Sequence, residues 1–186
     1  GTVQAERVQW SVADGGNGHW YEGFAEADEI SFEEANAHAI SKGGYLASVT
    51  TEGESNFIKS NVANNTDLWV YDVNECLCGG PFIGGYRNST EDWQWTDQSS
   101  WKWTSWHPGN PDGAFEDSQS VRLWDFSSRD WVDHRNAGET GSIVISYLVE
   151  WDSLPIQWRI EDGGNGHWYE AVSVSSGISW LDANTA

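Results

Sequence analysis

A nine-residue segment occurs twice in this chain without a change. Asp14-Gly15-Gly16-Asn17-Gly18-His19-Trp20-Tyr21-Glu22 returns as Asp162 through Glu170, at an offset of 148 residues. The same offset relates Val8-Gln9-Trp10 to Ile156-Gln157-Trp158, Ile30-Ser31-Phe32 to Ile178-Ser179-Trp180, and Ala35-Asn36 to Ala183-Asn184. An identity of this length at constant spacing marks a repeated structural unit. One module therefore spans residues 6–153, and residues 154–186 open a second, incomplete copy. Two organisations are expected from this pattern. Either the chain is a piece of a longer tandem array, or the C-terminal segment completes or bridges a neighbouring copy. Val172, Val174, Ile178, Trp180 and Leu181 favour some partner, because apolar residues without a domain to bury them rarely stay exposed.

Charge narrows the partners. Nine Lys and Arg stand against 29 Asp and Glu, a formal charge of −20. Such a chain repels phosphate backbones and anionic lipid, so neither nucleic-acid binding nor membrane insertion is expected. Most of these carboxylates read as a solvated surface, and only those that converge in a loop are candidates for chemistry. With 14 Trp, 6 Tyr and 6 Phe the chain can build a real core. Its two cysteines, Cys76 and Cys78, are separated by one residue; two thiols, a strained local bridge or a bond to another chain all fit that spacing. The start, Gly1-Thr2-Val3, suits a mature N-terminus or an excised fragment. No nucleophile elbow, metalloprotease helix, phosphate loop or His/Cys zinc constellation occurs, so an enzyme is not expected.

Local signals place two helices early and many short strands late. Val8–Trp10 and His19–Phe24 read as a hairpin around the Gly-Gly-Asn-Gly turn. Ser31 with Glu34, and Thr51 with Glu54, are capping boxes that open helices running to about Ser41 and Val62. The second helix is expected to face inward with Phe57, Ile58 and Val62. Short strands follow at Tyr45–Val49, Trp69-Val70, Phe82–Gly85, Trp93–Trp95, Val121–Trp124, Trp131–Asp133 and Ile143–Glu150. Helices followed by a run of strands indicate an α+β fold. Between them, Thr96 to Gln119 is a polar, Gly- and Pro-punctuated loop of a length that usually carries function.

The ordered series Tyr45-Leu46-Ala47-Ser48-Val49, Phe82-Ile83-Gly84-Gly85, Trp93-Gln94-Trp95, Trp106-His107-Pro108-Gly109-Asn110-Pro111-Asp112, Glu116-Asp117, Trp131-Val132-Asp133 and Tyr147-Leu148-Val149-Glu150 resembles the C-type lectin-like domain family across residues 8–151. The likeness is to a cysteine-poor, bacterial-type member from a tandem-repeat extracellular protein. It implies a C-type lectin-like fold, with two helices flanking short antiparallel sheets and a long loop. It also implies a secreted or cell-surface location, and a loop that holds calcium and a sugar. Two departures stand out. The specificity tripeptide reads Asn110-Pro111-Asp112, which matches neither familiar form, and Val132 replaces an Asn that would be a ligand.

On this resemblance the metal ligands are Asn110, Asp112, Glu116 and Asp133, with Pro111 in the cis form that lets neighbouring side chains converge. Calcium needs 6–8 hard oxygens, and vicinal sugar hydroxyls would complete the shell against these same four residues and Trp103. A loop that keeps its shape without metal, and calcium as a purely structural staple, are the competing readings. Trp69, Trp93, Trp95, Trp106 and Trp131 are expected in the core, and His107 and His134 on the surface near the loop. The expected function is a calcium-dependent carbohydrate-binding or adhesion module of a secreted repeat protein. The alternative is a structural subunit of an extracellular fibre or array, joined head to tail through residues 154–186 without sugar binding.

Overall fold

The computed structural model describes residues 6–71, 77–87, 92–113, 118–135, 143–153, 156–157 and 168–169. The chain divides into two units, Gly1–Asp152 and Ser153–Ala186. The first is α+β. Its strands are β1 (Val8–Gln9), β2 (Trp20–Ala25), β3 (Tyr45–Leu46), β4 (Val70–Tyr71), β5 (Leu77–Gly79), β6 (Phe82–Tyr86), β7 (Gln94–Trp95), β8 (Ser118–Leu123), β9 (Trp131–Arg135) and β10 (Ser146–Trp151). Its helices are α1 (Phe32–Ser41) and α2 (Glu52–Asn61).

The main sheet has the order β1-β2-β10-β6-β8-β9, with β3 on β10 and β7 on β6. β10 is its centre. It runs antiparallel to β2 over six residue pairs, from Ser146↔Ala25 to Trp151↔Trp20, and meets β6 in parallel at Tyr147↔Phe82. All six β10 residues are buried, as a strand covered on both faces requires. Gly84 on β6 sits where a Cβ would lie 2.4 Å from the Leu46 carbonyl oxygen, so backbone approaches backbone there and no larger residue fits.

Both helices begin where their caps place them, though the two caps differ. At α1 the box is complete: Ser31 Oγ accepts from Glu34 N, and Glu34 Oε2 accepts from Ser31 N at 2.9 Å. At α2 only half of the expected box forms. Thr51 Oγ1 accepts from Glu54 N, but the Glu54 carboxylate turns inward, away from the cap. Stronger donors recruit it: the Tyr21 hydroxyl at 2.6 Å, Thr50 N at 2.7 Å and Asn17 Nδ2 at 3.2 Å. The inner face of α2 therefore carries buried Glu54 and Ser55 beside Ile58, with Phe57 only partly covered.

Glu54 belongs to a buried network that closes the hairpin onto the sheet. The Tyr21 hydroxyl also lies 3.2 Å from Glu150 Oε1, while Glu150 Oε2 accepts from Ser48 N at 2.8 Å. His19 Nδ1 is 2.6 Å from Glu150 Oε1. Both carboxylates are 2% exposed, and a buried carboxylate is tolerated only when its lone pairs are satisfied. Burial pushes the Glu150 carboxyl above the usual carboxylate range, against the pull of His19. The hydrogen bond to Glu150 raises the His19 pKa, outweighing its own burial. Burial and then the two carboxylates hold the Tyr21 phenol firmly protonated.

One further expectation changes. His134 is buried, not on the surface. On β9 it alternates to the inner face, where its ring packs 5.6 Å from Phe82 and its Nδ1 accepts from Arg122 Nε at 3.2 Å. Cys78 is disulfide-bonded, and Cys76 lies outside the described residues. The Asp125 carboxylate closes the β8–β9 turn. Partial burial opposes its ionisation, but hydrogen bonds from Ser127 and Ser128 outweigh that and hold its pKa at about 2.

In the second unit, β11 (Ile156–Gln157) pairs antiparallel with β12 (Trp168–Tyr169) through Ile156↔Tyr169 and Gln157↔Trp168. The first unit opens with the same register, Val8↔Tyr21 and Gln9↔Trp20. Val172, Val174, Ile178, Trp180 and Leu181 lie outside the described residues. Among the described residues no helix is long and apolar enough to cross a membrane.

Tyr21→Phe removes the hydroxyl shared by two buried carboxylates and is expected to cost about 1–3 kcal/mol in denaturant unfolding. A smaller loss or a gain would show that the network is not stabilising. The His19 pKa is raised in the folded state, so its contribution is complete below 6.5 and is lost as pH rises through the raised value. Stability measured against pH should therefore fall above 6.5 in the native chain, and His19→Gln should flatten that fall.

Candidate functional site

The loop that follows β7 is built on one tryptophan. Trp131 N donates to Ser105 O at 2.8 Å, and His107 N donates to Trp131 O at 2.8 Å. This fixes residues 105–107 along the outer side of β9, in a parallel bridge between Trp106 and Trp131. The Trp131 ring is buried under the same segment. Trp95, Trp101, Trp103 and Trp106 pack round it with ring centroids 5.4 to 5.8 Å away. Edge-to-face contacts of this kind favour a fixed arrangement over a loose cluster. Trp101, which carried no core expectation, is thus part of the support, and Trp95 lies 4.4 Å from it. Trp69, Trp95 and Trp131 are buried, while Trp93 and Trp106 are partly covered at the core's edge.

From His107 the chain turns back. Asn110 N donates to His107 O at 2.9 Å, and Gly109 adopts φ +93°, a left-handed conformation that glycine reaches without penalty. The Asn110–Pro111 bond is cis. The crest is then held by one carboxylate: Asp133 Oδ1 accepts from Asp112 N at 3.0 Å and Oδ2 from Gly113 N at 2.9 Å. Asp133 reaches the loop because it follows Val132 on β9. Val132 faces inward, 5% exposed, and Asp133 alternates to the other face.

Of the five expected site residues, the structure joins Asp112 and Asp133 through this crest and sets Asn110 beside them across Pro111. Trp103 sits below, its ring against Trp131 and not on the crest. Glu116 lies outside the described residues. The side chains of Asn110, Asp112 and Asp133 are hard oxygen donors of the kind calcium prefers. Each Asp133 oxygen, with one amide bound, keeps a lone pair for a cation. Val132 contributes no oxygen. A cation of the chain itself stands near: Arg87 Nη2 lies 3.7 Å from where a Cβ on Gly113 would be, and its guanidinium packs over Trp93 at 4.8 Å. The donor set fits calcium in kind but supplies fewer than the 6–8 ligands that ion takes.

Sequence reasoning did not single out a second constellation. Among the described residues, His19, Glu150 and Asp152 are the group whose ligand atoms lie within 4.8 Å of one another. Asp152 accepts from the Tyr45 hydroxyl and is 3.8 Å from His19 Nε2. These groups are engaged with each other and with the Tyr21 network. The signal that could have found them was the repeated nonapeptide, which contains both His19 and Tyr21.

No family model and no curated protein matches the chain. Solved structures do. The C-type carbohydrate-recognition domain of cow CD23, determined in the presence of a GlcNAc2Man3 oligosaccharide, is 18% identical; the match covers 72% of this chain and 87% of that one, with a TM-score of 0.55. The C-type lectin CEL-I of Cucumaria echinata is 20% identical over 71% of this chain and 89% of its own, TM-score 0.57. A calcium-independent type II antifreeze protein is 20% identical over 70% and 85%, TM-score 0.52. Two helices with this arrangement of short sheets are the C-type lectin-like fold.

Asp133→Ala should free the crest while leaving the core intact. Hydrogen exchange at Asp112 and Gly113 is expected to quicken on the order of tenfold, with no change at β10. Equal exchange in both proteins would show that the carboxylate does not hold the loop.

Proposed function

We propose that the chain is a carbohydrate-binding module that engages sugar at the crest formed by Asn110, Asp112 and Asp133, in a calcium-dependent manner, as part of a secreted or cell-surface adhesion protein. The observation that carries this reading is the double hydrogen bond from Asp112 N and Gly113 N to Asp133. It ties the loop tip that carries Asn110 and Asp112 to the Asp133 carboxylate, on a tryptophan base, in a fold shared with carbohydrate-recognition domains. Pre-organisation of this kind lowers the ordering cost of binding.

Calcium, when bound, would accept two vicinal hydroxyls of a sugar into its coordination shell. Asn110, Asp112 and Asp133 would hold it, with Glu116 as a fourth ligand, and their remaining oxygens would take the hydroxyl protons as hydrogen-bond acceptors. Three features make the expected affinity modest. Val132 offers no ligand, Arg87 stands beside Gly113, and most of the shell must come from water and sugar. A dissociation constant of about 10⁻⁴–10⁻³ M, the range of extracellular calcium modules, follows.

Calorimetric titration of the apo chain with calcium, with and without simple monosaccharides, tests this. Binding in that range, strengthened by one class of sugar and abolished by Asp112→Ala without a shift in thermal midpoint, is the expected outcome. No calcium heat, together with no sugar heat, would overturn the proposal. Sugar heat without calcium would retain the carbohydrate function and remove the metal.

A further inference from the structure

Asn17 stands in the turn of the first hairpin with Gly18 directly after it, and the two residues are held in opposite ways. Gly18 N donates to Trp10 O at 2.8 Å across the turn. The Asn17 amide is engaged at both ends. Its Oδ1 accepts from His19 N at 2.9 Å, and its Nδ2 donates to the Tyr21 hydroxyl at 2.7 Å and to Glu54 Oε1 at 3.2 Å. Asn17 is nonetheless exposed to solvent. Asn before Gly is the pair most prone to ring closure between a side-chain amide and the next backbone nitrogen, because glycine has no Cβ to hinder the approach. Here the electrophile is prepared, since the donation from His19 N polarises the Asn17 side-chain carbonyl. The nucleophile is withheld, since the Gly18 nitrogen is pinned to Trp10 O. Local opening of the turn releases it.

We propose that Asn17 is a self-modification site gated by the hairpin: when the Trp10–Gly18 contact opens, the chain deamidates there and the hairpin loses its latch on α2. The reaction needs only water. Gly18 N bonds to Asn17 Cγ, the Cγ–Nδ2 bond breaks, and the Gly18 amide proton leaves with that nitrogen as ammonia. Solvent water then adds to either carbonyl of the cyclic imide and reopens it, giving an aspartyl or an isoaspartyl residue. Neither product restores the contacts. A carboxylate donates nothing, so both Nδ2 hydrogen bonds are lost, and its charge faces the Glu54 oxygen that Nδ2 reached at 3.2 Å. Glu54 is buried, so the two like charges repel with little screening. The isoaspartyl form also lengthens the backbone inside a turn without slack, where a Cβ on Gly16 would lie 2.4 Å from Trp10 O. A reversible opening thus becomes a permanent one. Its rate follows the frequency of opening, which is set by the contacts that close the hairpin: Trp10 stacked on Phe57 at 5.8 Å and Tyr21 bonded to Glu54 at 2.6 Å.

Peptide mapping by mass spectrometry of the full 186-residue chain, after incubation at mildly alkaline pH, tests this. Asn17 is expected to stay intact in the native chain and to convert in the urea-unfolded chain. Trp10→Ala removes the stacking partner of Phe57 and should quicken conversion about tenfold while the fold persists. If that variant does not fold, the native chain in sub-denaturing urea takes its place: conversion should rise in step with hydrogen exchange at Gly18. Asn17→Asp reproduces the aspartyl product and should lower the denaturant midpoint. Conversion equally fast in the folded and unfolded chains, no conversion in urea, no acceleration in folded Trp10→Ala, or an Asn17→Asp midpoint equal to the native one would overturn the proposal.

Discussion

Two buried carboxylates on different elements, joined by one phenol, set the arrangement of the module. Glu54 enters from α2 and Glu150 from the central strand β10, and Tyr21 of β2 lies between them. Neither could be buried alone, because an unsatisfied carboxylate in the core costs more than most single contacts return. The hairpin has to be present, the helix has to begin at Thr51, and the backbone has to bring Ser48 and Thr50 to the right oxygens. The polar network thus does what a hydrophobic patch cannot: it specifies which segments meet and in what register. The apolar core fills in around a geometry already chosen.

The loop depends on this frame at one remove. The central strand aligns β6, β6 aligns β8, and β8 aligns β9, so that Trp131 arrives with both backbone groups turned outward. Residues 105–107 take those groups, the surrounding indoles close over the ring, and Asp133 two residues on catches the returning chain. The crest is therefore positioned by a rigid scaffold and not by its own loop sequence, as a site on a long loop requires. Val132 illustrates how the scaffold and the site trade places along a strand: its inward face serves the core, and its neighbours on either side serve the loop.

Much of this was legible in the residues. The caps at Ser31 and Thr51 gave both helices nearly to the residue, because capping is a local event with a local sequence signature. The order of Trp-rich strands gave the fold. What escaped were interactions between segments far apart in sequence. Glu54 was read as a cap partner, but its fate was decided by Tyr21 and Asn17, over thirty residues away. His134 was placed on the surface because a lone histidine carries no sign of which strand face it will occupy; Arg122 and Phe82 decide that. At the loop, the sequence pattern brought Asn110, Asp112 and Asp133 into one list. It had no way to show that each Asp133 oxygen would accept a hydrogen bond from the backbone of that loop.

The loop segment beside Trp131 has a second consequence. β9 is the last strand of the sheet, and an open strand edge offers unpaired amides and carbonyls to any extended chain that drifts by. Here Ser105 and His107 occupy those groups at Trp131, and the opposite edge, β1, is only two residues long. The segment that presents the crest is also the cover of the edge. Sequence change beyond Gly109 then leaves that cover in place, while changes nearer Trp106 risk uncovering the strand for edge-to-edge pairing.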